Sequence, residues 1–178
     1  MRPTSLTIAI VALLAVNAVV YAYNGRGSEG LDALAWFALL LLFTVETSCP
    51  RWARMPRNAV ALDLMRLIAA AAILWAAIAY VREGEWLDAL NAWLWIGVVA
   101  VLELEMRATT WAMRHQRLVI AISALLYAAL ATVATTWLVQ GEWFDAYDAA
   151  LWIAAFVLLE MDWLRHSSGN PSTPEKII

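Results

Sequence analysis

One helical-hairpin pattern occurs three times in this chain, at a spacing of 57 residues. A fixed period of this kind is typical of a fold built from copies of one supersecondary unit. Each copy has two apolar stretches joined by a short polar turn, so we predict an all-α membrane protein with pseudo-threefold organisation. The residues that keep the spacing are Glu46, Glu103 and Glu160; Gly27, Gly84 and Gly141; and Tyr23, Tyr80 and Trp137.

The apolar content of the chain favours lipid over water as its surroundings. Hydrophobic residues make up 63% of the 178 residues, and the mean hydropathy is +0.68. A soluble domain of this size has too little interior to bury so much apolar surface. We therefore predict six transmembrane spans, near residues 5–23, 31–48, 62–81, 86–104, 118–139 and 143–161.

The repeat also predicts the domain organisation. Residues 1–166 should form a single six-helix transmembrane domain, with hairpins near 1–50, 57–107 and 114–165. Residues 167–178 should form a flexible cytoplasmic tail. The first span also resembles a cleavable secretory signal, but its match to the third and fifth spans favours its retention.

Basic residues lie almost entirely on one side of the predicted spans. Ten of the twelve share that side with both termini, and only Arg26 and Arg82 lie on the other. Because positively charged segments stay in the cytoplasm, we expect a multi-pass protein of the cytoplasmic (inner) membrane with both termini inside the cell. This topological role accounts for the arginines, so a nucleic-acid partner is not needed to explain them. The expected partner is the lipid bilayer.

The first and second helices of each hairpin differ in composition. The third and fifth spans are rich in alanine, whereas the second, fourth and sixth carry leucine and tryptophan, notably Trp36, Trp93, Trp95 and Trp152. Small side chains let helices approach closely in lipid. We expect the alanine-rich helices near the centre of the protein, with the Trp- and Leu-rich helices facing lipid or other membrane protein subunits.

An aspartate follows each turn, near the start of the returning helix. Asp32, Asp88 and Asp145 hold these positions. A carboxylate there can accept hydrogen bonds from free backbone N–H groups and meets the positive end of the helix dipole. We predict that these three residues are helix caps.

The negative charges of the glutamates at the opposite helix ends need neighbouring groups that stabilise them, and two interpretations of these groups are open. Asp88 and Glu103 are separated by only about 22 Å of helix, less than the roughly 30 Å hydrocarbon layer. In the first, Glu46, Glu103 and Glu160 converge on the pseudo-threefold axis and bind a cation or relay protons. The simpler interpretation is ion pairing at the membrane boundary, for which the spacing favours Glu103 with Arg107, Asp63 with Arg66, and Asp162 with Arg165.

Further polar residues fall inside the predicted spans. Asp148 lies one turn beyond Asp145, and its equivalent in the second copy is Asn91. These two can line an outward-open polar cavity, or they can bond helices together, which is the commoner use of polar groups in membrane bundles. Asn17 and three threonines are expected to form such interhelical bonds; the threonines are Thr132, Thr135 and Thr136.

The sequence carries no recognisable catalytic, cofactor-binding or metal-binding motif. We therefore expect no enzyme and no cofactor, but a small integral membrane protein that serves as an accessory or scaffolding subunit of a larger complex. The alternative is a cation or proton transporter or channel that uses the repeated glutamates, with Asp148 and Asn91 as outer contacts.

Overall fold

Eight helices make up the computed structural model, which describes residues 5–168. Within this range, side chains are described except for Ser5, Thr7, Thr47, Pro50, Met106 and residues 158–168. The predicted tail from residue 169 onward lies outside the described residues. The helices are α1 (Ser5–Asn24), α2 (Gly27–Ser48), α3 (Pro50–Ala53), α4 (Pro56–Glu83), α5 (Trp86–Arg107), α6 (Thr109–Arg114), α7 (Gln116–Gln140) and α8 (Trp143–Ser168).

Among the described residues, four helices are long and apolar enough to cross a membrane. Their apolar segments are Gly27–Glu46, Pro56–Glu83, Trp86–Glu105 and Gln116–Gln140, which belong to α2, α4, α5 and α7. Helix α1 contributes a shorter apolar segment, Ile8–Asn24. The protein is thus an all-α protein with several potential membrane-crossing helices, and its apolar surface indicates contact with a lipid bilayer.

Glycine ends two of the long helices. Gly84 follows α4 with φ of 81°, and Gly141 follows α7 with φ of 88°. Both are left-handed C-caps that a residue with a Cβ adopts only with strain. The first turn is built differently, because Gly27 is the first residue of α2 rather than a cap. The predicted equivalence of the three glycines therefore holds for the second and third turns but not for the first.

The six long helices contact one another in a closed order. Neighbours around the ring are α1 and α2, α2 and α4, α4 and α5, α5 and α7, α7 and α8, and finally α8 and α1. The short helices α3 and α6 connect successive helix pairs at the arginine-rich end. Such a ring encloses a central axis that side chains must fill.

Three tryptophans meet at this axis. Trp36 of α2, Trp95 of α5 and Trp152 of α8 have ring centroids 6.2 to 6.5 Å apart, in tilted or edge-to-face arrangements that aromatic pairs prefer. Trp36 and Trp95 are only 9% and 4% exposed. The expectation that the Trp-rich helices turn their bulky residues outward is therefore wrong for these three, because the axis needs large side chains to fill it. Only Trp93 of the four faces outward, at 47% exposed.

The alanines pack helices side by side instead. Ala76 and Ala77 of α4 are fully buried against Ala89 and Ala92 of α5. Side chains this small allow the two helices to approach closely. Other alanines of α4, such as Ala70, are exposed on its outer face. The alanine-rich surfaces thus join neighbours in the ring and do not form its centre.

We predict that enlarging Ala76 destabilises the ring. Ala76→Leu should lower the free energy of unfolding by about 1–3 kcal/mol, because the added atoms have no space between α4 and α5. Ala70→Leu on the exposed face of the same helix is the matched control and should change it little. The measurement is denaturant unfolding of the protein in detergent. Equal effects of both substitutions would contradict the close packing of α4 on α5.

Candidate functional site

A polar cavity lies inside the ring at the end where the glycine turns are. It has a volume of about 60 Å³, and the indoles of Trp36, Trp95 and Trp152 bound it on the inner side. Among the described residues, five carboxylates line it: Glu29, Asp32, Asp88, Asp145 and Asp148. We call this space the acidic cavity. Its lining brings together acids from all three helix pairs, although they are far apart in the sequence.

A wider space leads into the acidic cavity from the turn end. This vestibule has a volume of about 380 Å³ and shares Tyr21, Glu29, Asp88, Trp137 and Asp145 with the acidic cavity. The shared residues form the neck between the two spaces. The acidic cavity is therefore reached from the turn end and is bounded by tryptophan at its other end.

Polar groups on the first helix of one pair bond to aspartates on the second helix of another. Tyr21 Oη of α1 donates a hydrogen bond to Asp145 Oδ1 of α8 over 2.7 Å. Tyr80 Oη of α4 donates to Asp32 Oδ2 of α2 over 3.5 Å. Each bond crosses between different helix pairs. The contacts that shape the site therefore also join the pairs to one another.

Asp32 and Asp88 are not side-chain N-caps, in contrast to the prediction. The N-caps of α2 and α5 are Arg26 and Glu85, without a side-chain cap hydrogen bond. Asp88 is the third residue of α5 and lies past the cap position, with its side chain in the cavity lining. It still lies in the first turn, where the helix dipole favours a negative charge. These carboxylates thus belong to the cavity lining inside the ring and do not cap their own helices.

Arg26 joins two turns at the rim of the vestibule. Its Nε donates a hydrogen bond to Glu29 Oε1 over 2.9 Å, and its Nη1 makes an ion pair with Glu85. Hydrogen bonding to Glu85, and then to Glu29, raises the pKa of Arg26 above its ordinary value. Nearby, Ser28 Oγ donates to Glu83 over 2.6 Å. The first and second turns are therefore held together by charged side chains.

The deeper polar residues lie together in the acidic cavity. Asp148 and Asn91 both line it, and Asn17 Nδ2 donates to Asp148 Oδ1 over 2.7 Å. Asn17 is thus an interhelical donor, as expected. The threonines are not, because each donates to a backbone carbonyl one turn earlier in α7; they are Thr132, Thr135 and Thr136.

Two oxygens in the cavity lining have no described donor in good hydrogen-bond geometry, although the Trp36 indole interacts with the Asp32 carboxylate. They are Asp32 Oδ1 and Asn91 Oδ1, and both atoms are buried. An unpaired buried acceptor is costly, and most such atoms in proteins are satisfied by a donor. Both residues line the acidic cavity. A donor that reaches these oxygens would satisfy them.

The repeated glutamates lie at the other end of the helices, and the described ones are paired with arginine. Arg66 Nη2 donates to Glu46 over 2.5 Å, and the same guanidinium contacts Asp63 at 3.0 Å. Arg107 Nε donates to Glu103 over 2.5 Å. The expected pairs of Asp63 with Arg66 and of Glu103 with Arg107 are thus present in the structure. The side chains of Glu160, Asp162 and Arg165 lie outside the described residues.

Direct coordination of a metal ion has no ready ligand set in the described part of the chain. Groups of three His, Cys, Asp or Glu side chains placed to hold an ion do not occur there. The cavity acids are instead spread around a lining that also holds aromatic rings, including Tyr21, Tyr80 and Trp137. The arrangement is that of an acid-lined, aromatic-walled space.

Tyr21 is a site residue that the sequence analysis missed. The repeat pointed to Tyr23, which is 85% exposed. Tyr21 lies two residues before this position and does not keep the 57-residue spacing, yet it donates the hydrogen bond to Asp145. The available signal was helical spacing: Asn17 and Tyr21 are four residues apart and therefore share one face of α1. Both polar groups use that face to reach α8.

No family model matches this sequence, and neither a curated protein nor a solved structure does so. The function is therefore inferred from the chemistry of the acidic cavity and its surroundings.

We predict that Tyr21 contributes to stability through its hydroxyl group. Tyr21→Phe should lower the free energy of unfolding by about 1 kcal/mol, since interhelical hydrogen bonds in membrane proteins have about this strength. Tyr23→Phe removes the same hydroxyl from an exposed ring and should be neutral. Thermal unfolding in detergent compares the two variants with the parent. A neutral Tyr21→Phe would show that the bond to Asp145 adds no stability.

Proposed function

We propose that the protein is a non-catalytic integral membrane protein that binds a cation in the acidic cavity. The observation that supports this most is the convergence of four aspartates and Glu29 on one cavity. None of the described residues that line the acidic cavity is basic. A concave site with charges of one sign and low-dielectric walls concentrates ions of the opposite charge.

The proposal includes six membrane-crossing helices arranged as three hairpins around the axis. Helices α1 and α8 have 20 and 26 residues and complete the same closed ring as the four candidate spans. Twenty residues of helix extend about 30 Å, the thickness of the hydrocarbon layer. The spacing of 57 residues between the copies supports the same arrangement.

The distribution of arginine supports a location in the cytoplasmic (inner) membrane with both termini in the cytoplasm. In this orientation, the vestibule and the acidic cavity open away from the cytoplasm. The two connections that hold α3 and α6 carry arginines at their exposed positions, among them Arg51 and Arg114. A ligand then enters the cavity from the side of the membrane that faces away from the cytoplasm.

We predict that the two ends of α7 lie on opposite sides of the membrane. Arg114 and Glu142 flank this helix and are exposed. In a Cys49→Ser parent, Glu142→Cys should react with a membrane-impermeant maleimide on intact cells, whereas Arg114→Cys should react only after permeabilisation. The parent without either cysteine is the control for background labelling. Labelling of both positions from the same side would contradict the proposed topology.

A transporter based on the repeated glutamates is less well supported than binding in the acidic cavity. Glu46 and Glu103 are each held by an arginine. The three axial indoles stand between the acidic cavity and the arginine-rich end of the ring. A path for ions between the two ends would require these rings to move apart.

An accessory or scaffolding subunit is the second candidate function. The axial tryptophans cannot serve as a partner surface, because they face one another. Two other tryptophans of the second helix pair favour a protein contact: Trp75 of α4 and Trp93 of α5 are 59% and 47% exposed. Exposed aromatic residues are enriched in protein interfaces. A partner would therefore bind the outer face of α4 and α5.

We predict that cation binding depends on Asp148. Isothermal titration calorimetry of the purified protein in dodecyl maltoside, with the chlorides of potassium, magnesium and n-butylammonium, should show saturable binding of at least one cation. Asp148→Asn should weaken that binding about tenfold or more, because it removes one charge from a low-dielectric site.

Asp63→Asn makes the same chemical change at an exposed position outside the cavity lining, and should leave the affinity unchanged. The proposal would be contradicted if none of the three salts gave saturable heat, or if Asp148→Asn and Asp63→Asn lost the same amount of cation affinity. That result would favour the accessory role instead.

A further inference from the structure

We infer that the cation is the ammonium head of an organic amine, with its substituent in the vestibule. This inference rests on the proposed function and specifies the class of ligand. It comes from three features of the site: aromatic rings beside the carboxylates, unpaired acceptors in the inner cavity, and apolar residues in the vestibule.

Aromatic rings surround the acidic cavity on two levels. Tyr21, Tyr80 and Trp137 belong to its wall, and the three axial indoles bound its inner end. The faces of Trp and Tyr attract cations through the ring quadrupole, and pockets of this kind recognise organic ammonium groups. A small inorganic cation gains most from closely spaced oxygen ligands, whereas an ammonium head also gains from the rings. The mixed lining therefore favours the organic cation.

The unpaired acceptors indicate a cation that carries N–H groups. Asp32 Oδ1 and Asn91 Oδ1 are buried and have no donor in good hydrogen-bond geometry among the described residues. A protonated primary amine has three N–H donors, as a lysine ammonium does, and can donate to a buried acceptor of this kind. A quaternary ammonium has no such donor and would leave both acceptors unpaired. The head group is therefore a protonated amine rather than a quaternary one.

The two connected spaces match the two parts of such a ligand. The acidic cavity, at about 60 Å³, exceeds the roughly 10–15 Å³ that seat one water molecule, so it can hold a small head group. The vestibule is about 380 Å³, and Val20, Leu87 and Phe144 belong to its lining. These three side chains can pack against a short alkyl chain, within a lining that is otherwise mostly polar. The head group then lies inside the neck and the chain outside it.

The rim of the vestibule does not repel a cation. Arg26 lines it, but its guanidinium is paired with Glu29 and Glu85. Glu142 adds a further carboxylate to the same lining. The approach to the acidic cavity is thus negative or neutral, and a protonated amine can enter from the turn end.

The test compares ligands on the unmodified protein by isothermal titration calorimetry in dodecyl maltoside. We expect n-butylammonium to bind at least tenfold more tightly than potassium, which carries the same charge without N–H groups or a chain. Tetramethylammonium should bind at least fivefold more weakly than n-butylammonium. n-Butanol, the neutral analogue of similar size, should give no saturable heat. Equal affinities for potassium and n-butylammonium, or tighter binding of tetramethylammonium, would overturn the inference.

One variant and a matched control test the aromatic contribution. Trp137→Leu should weaken n-butylammonium binding about fivefold, since cation–ring contacts contribute roughly 0.5–2 kcal/mol, and should change potassium binding less. Trp93→Leu makes the same substitution at a tryptophan outside the cavity lining and should have no effect. An unchanged affinity of Trp137→Leu for n-butylammonium would count against the aromatic role.

The outcomes separate the two proposals. Binding of potassium or magnesium that depends on Asp148, with no preference for n-butylammonium, would overturn the ammonium inference and leave cation binding in place. Saturable binding of none of these cations would overturn both.

Discussion

A closed ring of six helices leaves a central axis that has to be filled, and three indoles fill it. Trp36, Trp95 and Trp152 meet there with their centroids 6.2 to 6.5 Å apart. Alanine side chains cannot span such a distance, so the small residues pack adjacent helices instead. The indole cluster divides the interior into an apolar part toward the arginine-rich end and a polar part toward the turns. The position of the acidic cavity follows from this division.

Carboxylates inside an apolar ring are tolerated only with donors nearby. Tyr21, Tyr80 and Asn17 supply donors to three of the aspartates, and each bond crosses between helix pairs. Stability and ligand binding are therefore coupled at this site, since the residues that shape the cavity also join the pairs. A ligand that supplies the missing donors to Asp32 and Asn91 would strengthen the same network.

Several structural features could be predicted from local sequence patterns. The positions of the long helices follow from the apolar stretches, and Gly84 and Gly141 end two of them as left-handed caps. The pairs of Glu103 with Arg107 and of Asp63 with Arg66 follow from their spacing on one helix. Local patterns did not predict that Trp36 points inward or which residues bond to the turn aspartates. They also did not predict that Tyr21, rather than Tyr23, lines the site. Each depends on which face of a helix meets a neighbour that is distant in the sequence.

An all-α, lipid-compatible chain whose helices begin and end at recognisable signals follows from the amino-acid sequence alone, because hydropathy, glycine and helical spacing act within about twenty residues. Which helix faces turn inward depends on contacts between helices that are distant in the chain. Closure of the ring through the contact of α1 with α8 brings Tyr21 to Asp145 and Asn17 to Asp148. These pairs are separated by 124 and 131 residues, and local spacing carries no information about contacts of that range. The acidic cavity is therefore a property of the assembled ring.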